Sequence, residues 1–369
     1  MNRSESSSRS LIYPPSTESI ARAANALHEC KLVGIPTETV YGLAARGDME
    51  SAVDKIFAAK NRPRSNPLIL HVADVEDAES LFDIDASGIV AERLKRLQRF
   101  WPGPLTVIGP RDRQILDHVT AGGDTVAVRV PDHPVALDLL RELKRLAGRP
   151  IPVAAPSANL SNYVSPTTPQ HVAEGLGDRV AMVLDGGQCR VGLESTILFL
   201  GSDSSSPRVL RSGGISAEQL SEAIGEVVGA PSRNQFSGSD AAPPVAKENF
   251  VAAPGQFAKH YSPSTPVVLL SKETIFAEQT VKWAQNTTVP TPRVLRIVFG
   301  PLTREVSQGA SEVWTLAKDG RLERAACELY AALRKADEGQ FDRIEVVPCE
   351  EKGIGVAIMD RLRRASQPE

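Results

Sequence analysis

Three cations fall within five residues at Lys60-Asn61-Arg62-Pro63-Arg64, and Ser65-Asn66-Pro67 lead from there into an apolar run that contains His71. Pro63 and Pro67 stiffen this stretch. A rigid cationic loop suits phosphate oxygens, with lysine as a point charge and arginine as a two-pronged donor. The same composition would also serve as a solvated basic loop. Upstream, the block Pro36-Thr37-Glu38-Thr39-Val40-Tyr41-Gly42-Leu43 directly follows a short apolar run. Its two threonines and glutamate offer donors and acceptors to a small polar ligand at the end of a strand. A strand-to-helix turn with a capped helix is the plainer alternative. His71 near the end of its strand is either a ligand or a satisfied core histidine.

Further along, Val126-Ala127-Val128-Arg129-Val130-Pro131 sets an arginine among alternating strand residues. An unpaired guanidinium is costly to bury, so Arg129 should meet a carboxylate, structural or substrate. Pro156-Ser157-Ala158-Asn159 and Ser165-Pro166-Thr167 place small hydroxyl and amide groups after a strand, for turn chemistry or for close approach to a ligand. Glu194-Ser195-Thr196 opens one strand, and Arg211 closes another ahead of Ser212-Gly213-Gly214. That arginine fits a phosphate contact or a surface turn.

Several chemistries are missing. There is no G-x-x-x-x-G-K-[ST], no G-x-S-x-G elbow and no H-E-x-x-H, since His28-Glu29 is followed by Leu32 where the second histidine would stand. Gly353-Ile354-Gly355 begins like a dinucleotide fingerprint, but Ile358 occupies the third glycine's place. The four cysteines, Cys30, Cys189, Cys327 and Cys349, form no C-x-x-C pair. They read as reduced, mostly buried thiols, which suits a cytoplasmic protein.

The elements that position these groups alternate. Ile20, Ala24 and Leu27 recur at helical spacing behind a cap at Ser16 or Thr17, and Leu32 to Ile35 reads as a strand. Helices are expected at Glu50 to Lys60, about Ala86 to Phe100, and Pro134 to Leu146. Strands are expected at Leu68 to Val72, Val126 to Val130, Ile151 to Ala155, Met182 to Leu184, Ser195 to Leu200 and Arg208 to Leu210. Ser216-Ala217-Glu218-Gln219 matches a capping box for a helix to about Val228. From Gly229 to Pro266, Pro, Gly, Ser and Ala dominate, as in a linker. Beyond it come strands at Val267 to Leu270, Val294 to Phe299 and Ile344 to Val347. They alternate with helices near Ile275 to Ala284, Leu322 to Lys335 and Ile354 to Arg364, the pattern of a small parallel α/β domain. The expected organisation is therefore a disordered tail over 1–19, a catalytic domain over 20–228, a linker or lid over 229–266 and a second α/β domain over 267–369.

The chain's 369 residues suit two domains. Its net charge of −3 argues against coating nucleic acid by bulk electrostatics, although a local basic patch remains open. No apolar run approaches the ~20 residues of a membrane span.

Taken together, PTETVYGL, KNRPRSNPLILHV, WPGPLTVI, TVAVRVPDHP, APSANLSNYVSPT, LDGG with ESTI, and VLRSGGIS resemble, in order and spacing over roughly residues 20 to 228, the YrdC/YciO family in its long two-domain Sua5 form. Ala253 to Pro263, APGQFAKHYSP, resembles that form's linker. The resemblance implies an open, twisted α/β sheet with a concave cationic cavity and a smaller Rossmann-like C-terminal domain. It implies L-threonylcarbamoyladenylate synthase activity, in which L-threonine, bicarbonate and ATP (with Mg²⁺) give threonylcarbamoyl-AMP and pyrophosphate. The product would pass to a threonylcarbamoyl transferase that modifies adenosine 37 of ANN-decoding tRNAs. By match to the family's motifs, Thr39, His71, Arg129, Ala155 and Ser195 would hold threonine. Arg62, Asn66, Thr125, Ser157, Asn159, Ser165 and Arg211 would contact ATP, with His260 and Tyr261 closing over it. Lys60 and Arg62 would neutralise charge as pyrophosphate leaves, and no protein side chain would ligate a metal. Since the substrate's own carbamate is the nucleophile, no catalytic Ser or Cys is needed. As a loop cation, Lys60 is expected to be dispensable for the fold. The alternative is a non-catalytic YrdC-like module that binds RNA or tRNA, in keeping with weak RNA binding; a hydrogenase-maturation carbamoyltransferase lacks support because its paired cysteines are absent.

Overall fold

The computed structural model describes residues 11–85, 88–202, 204–230, 253, 260–271 and 292–367. Residues 1–10, most of the expected linker and the helix expected near 275–284 lie outside them.

The first domain runs β1 (Ile12–Tyr13), α1 (Thr17–His28), β2 (Val33–Ile35), β3 (Gly42–Arg46), α2 (Glu50–Lys60), β4 (Ile69–His71), α3 (Val75–Glu79), α4 (Ile89–Leu97), β5 (Leu105–Pro110), α5 (Asp117–Thr120), β6 (Thr125–Arg129), α6 (Pro134–Ala147), β7 (Val153–Ala154), α7 (Pro169–Leu176), β8 (Met182–Leu184), β9 (Thr196–Phe199), β10 (Arg208–Arg211) and α8 (Ala217–Ile224). Its strands make one ten-stranded open sheet in the order β1-β8-β2-β3-β7-β4-β6-β5-β9-β10. The sheet is mixed: β4 and β6 are parallel, while β2/β3, β3/β7 and β5/β6 are antiparallel. Apolar residues fill both of its faces. One cluster gathers Leu43, Val53, Ile56, Leu70, Val107 and Val128; the other packs Ala23, Leu27, Val33, Leu139 and Val153 under α1 and α6.

Three expectations change here. Residues 11–19 are not a disordered tail. β1 adds to β8 in parallel, and Ser16 caps α1 through a reciprocal box with Ser19. The PTETVYGL block is not a strand-to-helix turn, because the chain turns back and Gly42 to Arg46 pairs antiparallel with β2. The helix expected from Ala86 is shorter: α4 starts at Ile89 behind Gly88 and ends in a tight turn over Gln98–Phe100.

The second domain runs β11 (Val267–Leu269), β12 (Val294–Val298), α9 (Arg304–Ser307), β13 (Glu312–Thr315), α10 (Leu322–Glu338), β14 (Arg343–Val346) and α11 (Ile354–Ala365). Its four strands are all parallel, in the order β11-β14-β12-β13. Its apolar core continues across the seam between the domains. Val40, Val164, Leu193 and Tyr261 pack into the same cluster as Leu329, Tyr330, Leu333 and Ile358. Burying that shared surface fixes one domain against the other.

Candidate functional site

His71 and Arg129 are register partners at the ends of the parallel neighbours β4 and β6, so both side chains project from the same sheet face. Around them lies a cleft of about 530 Å³, counted out to open solvent. Thr39, Arg62, His71, Arg129, Ala155 and Ser157 line one part of it, and Ser195, Arg211, His260 and Tyr261 another. Residues from seven separated segments thus converge.

The cleft is cationic and buried. Arg129 is 4% exposed. Its Nη2 lies 2.7 Å from Glu38 Oε1, though the N–H does not point at that oxygen, and its Nε donates to the Gly103 carbonyl at 3.2 Å. A carboxylate does therefore face Arg129, and it is the protein's own Glu38. Arg62 is clamped by its loop, with Nη2 donating to Asn66 Oδ1 at 2.6 Å and to the Pro67 carbonyl at 2.8 Å. Loss of hydration, then the facing Arg211 charge, lower its pKa to about 9. Arg211 donates from Nε to the Ser195 carbonyl and from Nη2 to Ser195 Oγ, both at 3.0 Å. Ser195 Oγ also meets Thr106 Oγ1 at 2.7 Å. Burial pushes the imidazoles of His71 and His260 down to about 3, with Arg129 adding to the effect at His71 and Arg62 at His260. Both rings are neutral at physiological pH.

Polar atoms without partners concentrate here. His71 Nδ1, Arg129 Nη2 and His260 Nδ1 are all buried without a directed hydrogen bond. Each such atom costs ~1–3 kcal/mol, so a cluster of them marks a place that a polar ligand would complete.

Several expected residues stand behind this surface. Lys60 is not a loop cation. It ends α2 and is 1% exposed, and its ammonium donates to the Ser157 carbonyl at 2.5 Å and to the Asn159 carbonyl. Burial holds its pKa well below the usual lysine value. Asn66 reaches the cleft only through Arg62. Asn159 donates to the Leu160 and Tyr163 carbonyls and so shapes the turn. Ser165 Oγ donates to Glu194 Oε1 at 2.6 Å. Thr125 shares the sheet face of Arg129 but opens β6, ~13 Å away along the strand, outside the cleft lining. Arg64, the third cation of the run, is exposed and pairs with Asp54 at 2.5 Å.

Sequence reasoning missed the contribution of the second domain. Glu194 Oε2 accepts from Tyr330 Oη at 2.9 Å and from Arg361 Nε at 3.0 Å. Burial alone would raise the Glu194 pKa, but the Arg361 and Arg211 charges outweigh it and hold it at about 2. Arg334 donates to the Val164 carbonyl at 2.5 Å and lies over the Tyr163 ring, whose hydroxyl donates to Asp337. One signal was available: Arg361 sits on the apolar stripe Ile358-Leu362-Ala365 of α11, where an arginine demands a buried partner. Among the described residues, no three His, Cys, Asp or Glu side chains gather as they would around a metal, and no helix is long and apolar enough to cross a membrane.

A mixed open α/β sheet whose cleft presents guanidiniums and neutral imidazoles, with the Ser195 hydroxyl engaged by Arg211 and Thr106, suits an enzyme that works by positioning and by neutralising charge. Comparison with known proteins makes this specific. The family profile for Sua5, YciO and YrdC proteins, described as telomere recombination, matches residues 25–213, and the threonylcarbamoyl-AMP synthase C-terminal domain matches 215–367. The chain is 40% identical to the threonylcarbamoyl-AMP synthase of Bacillus subtilis over 94% of its own length and 92% of that protein's. It is 38% identical to the Pyrococcus abyssi enzyme, covering 93% of each. The crystal structure of P. abyssi Sua5 complexed with L-threonine superposes with a TM-score of 0.79 at 35% identity, over 97% of this chain and 98% of that one. The chain belongs to the Sua5/YrdC family, as a two-domain threonylcarbamoyl-AMP synthase, a nucleotidyltransferase.

Proposed function

We propose that this cleft joins L-threonine, bicarbonate and ATP, and that its residues divide between an amino-acid half and a nucleotide half. Bicarbonate loses its hydroxyl to give carbon dioxide, the threonine amine bonds to that carbon, and the hydroxide and an amine proton leave as water, which gives a carbamate. A carbamate oxygen then attacks the α-phosphorus of ATP, the bond to the bridging oxygen breaks, and pyrophosphate leaves. Thr39, His71, Arg129, Ala155 and Ser195 form the threonine half. Arg129 meets the substrate carboxylate, exchanging or sharing its contact with Glu38. Arg62 and Arg211 face the phosphates, with Ser157, His260 and Tyr261 around the nucleotide. Asn66, Asn159 and Ser165 set the geometry of these groups, Thr125 contributes from further along the sheet face, and Lys60 acts through the carbonyls of Ser157 and Asn159.

Mg²⁺ enters on the phosphates of ATP as part of that substrate and supplies neutralising charge there. Glu194, the carboxylate at the cleft, is already engaged by Ser165, Tyr330 and Arg361. The product, a mixed anhydride prone to hydrolysis, goes to a threonylcarbamoyl transferase acting on tRNA in the cytoplasm. Burial of His260 and Tyr261 at the cleft suits the exclusion of water.

The observation that carries this reading is the convergence of Arg62, Arg129 and Arg211 on one cleft beside unpartnered atoms of His71, Arg129 and His260. Purified protein mixed with MgATP, bicarbonate and L-threonine should release pyrophosphate only when threonine is present. Absence of that release, together with RNA binding that weakens with salt as phosphate contacts do, would establish the RNA-binding module instead.

A further inference from the structure

Three walls of the cleft rest on one side chain of the second domain. Arg361 on α11 is 1% exposed. Its Nε donates to Glu194 Oε2 at 3.0 Å, and its Nη2 donates to the Ser212 carbonyl at 2.9 Å. Glu194 immediately precedes Ser195, and Ser212 immediately follows Arg211. One planar fork therefore ties together the flanks of two cleft residues that are themselves joined by the Arg211–Ser195 hydrogen bonds. The face of the same guanidinium lies 5.1 Å from the centre of the Tyr261 ring, whose other stacking partner is Tyr330 at 5.7 Å. Its remaining arm, Nη1, closes on Asp360 at 2.6 Å.

The contact leaves no slack. A Cβ added at Gly213 would lie 2.3 Å from the Thr196 nitrogen and 2.5 Å from the Glu194 carbonyl oxygen. The turn after Arg211 is thus pressed directly against the entrance to β9. A small rotation of Arg361 has to be passed on to Arg211, Ser195 or Tyr261, because backbone and ring already occupy the space around it. Packing alone would be met by an apolar side chain, and desolvating a guanidinium is costly. A fork spanning two acceptors supplies a fixed distance between them, which methionine or lysine cannot.

We propose that Arg361 is a positioning residue of the active site, through which the C-terminal domain sets the direction of Arg211 and the height of Tyr261 for binding the nucleotide. This rests on the assignment of Arg211 and Tyr261 to the ATP half.

The test uses the full chain with Arg361→Gln and Arg361→Lys. Steady-state pyrophosphate release is measured with each substrate varied in turn, and MgATP affinity is measured by calorimetry. R361Q, which loses the charge and the fork, should raise the KM for ATP about tenfold or more, lower kcat, and leave the KM for threonine within about threefold. R361K, whose ammonium reaches one acceptor but not both in fixed geometry, should fall between wild type and R361Q. A folded R361Q with both KM values unchanged overturns the proposal, as does a loss confined to threonine. Should R361Q fail to fold, R361K decides: wild-type affinity for MgATP, or failure of this variant to fold as well, reduces Arg361 to a fold element. A wild-type protein that releases no pyrophosphate overturns the enzymatic reading by itself, and the calorimetric comparison of wild type with R361K still tests the positioning role.

Discussion

Replacing Lys60 with methionine separates two accounts of the residue most exposed to misreading. As a loop cation it would lose rate and spare the fold. Placed as it is, its ammonium is the donor for the Ser157 and Asn159 carbonyls, and its own carbonyl accepts from Ser161 N at 2.9 Å. Methionine keeps most of the volume and removes the donor. The Asn159 carbonyl then lacks a partner, at ~1–3 kcal/mol, while the Ser157 carbonyl keeps the Asn159 N–H at 3.0 Å. Relief from holding a buried cation returns part of that cost, leaving a net loss of about 1–2 kcal/mol. Against a typical total of ~5–15 kcal/mol this is a large fraction. With a urea slope of ~2–3 kcal/mol/M, the unfolding midpoint should fall by about 0.5 M. Activity should fall with it, because Ser157 lines the cleft and the turn that carries it loses its anchor. Urea titration and pyrophosphate release on the same preparation give both numbers. A K60M protein with a wild-type midpoint and a collapsed rate would refute this reasoning and return Lys60 to direct contact with substrate.

Arg129→Ala should raise the threonine KM about 10- to 100-fold, the worth of a lost charge-assisted pair, and move the ATP KM less than twofold; equal effects on both would undo the division of the cleft. Glu194, held at about 2 against an ordinary 4.5, stabilises the fold fully above pH 4.5, and this contribution of about 3 kcal/mol disappears as pH falls from 4.5 towards 2. Wild type should therefore lose melting temperature faster than Glu194→Gln across that range, and parallel curves would show that the carboxylate is not held by Arg361 and Arg211. Gly192 has φ +76°, and a Cβ there would sit 2.4 Å from the Cys327 Cα and 2.5 Å from the Ala326 carbonyl oxygen on α10. Gly192→Ala should accordingly lower the melting temperature and open the domain seam to protease, whereas wild-type resistance would mean that the seam yields.

Helix α2 and the short strand β8 are legible in the sequence at their observed bounds, as is the start of α8 at its Ser216 capping box, because periodicity and caps act within a few residues. β1, β3, β5 and β13 were not. β3 reads Gly-Leu-Ala-Ala-Arg, with little intrinsic preference for a strand, and exists because β2 and β7 flank it. β1 is two residues long and takes its structure from β8, some 170 residues away.

The order of the motif blocks, the types of group available and the absence of the P-loop, G-x-S-x-G and H-E-x-x-H motifs are properties of the chain alone, and they already favour the binding and neutralising of anions. Tertiary structure decided which cations serve it. Of three within five residues, Arg62 enters the cleft, Lys60 turns inward to two carbonyls and Arg64 turns out to Asp54, while Arg361 arrives from 150 residues beyond Arg211. A charged side chain settles where its desolvation is best offset, and the acceptors that offset it come from distant segments which only the folded chain brings within reach.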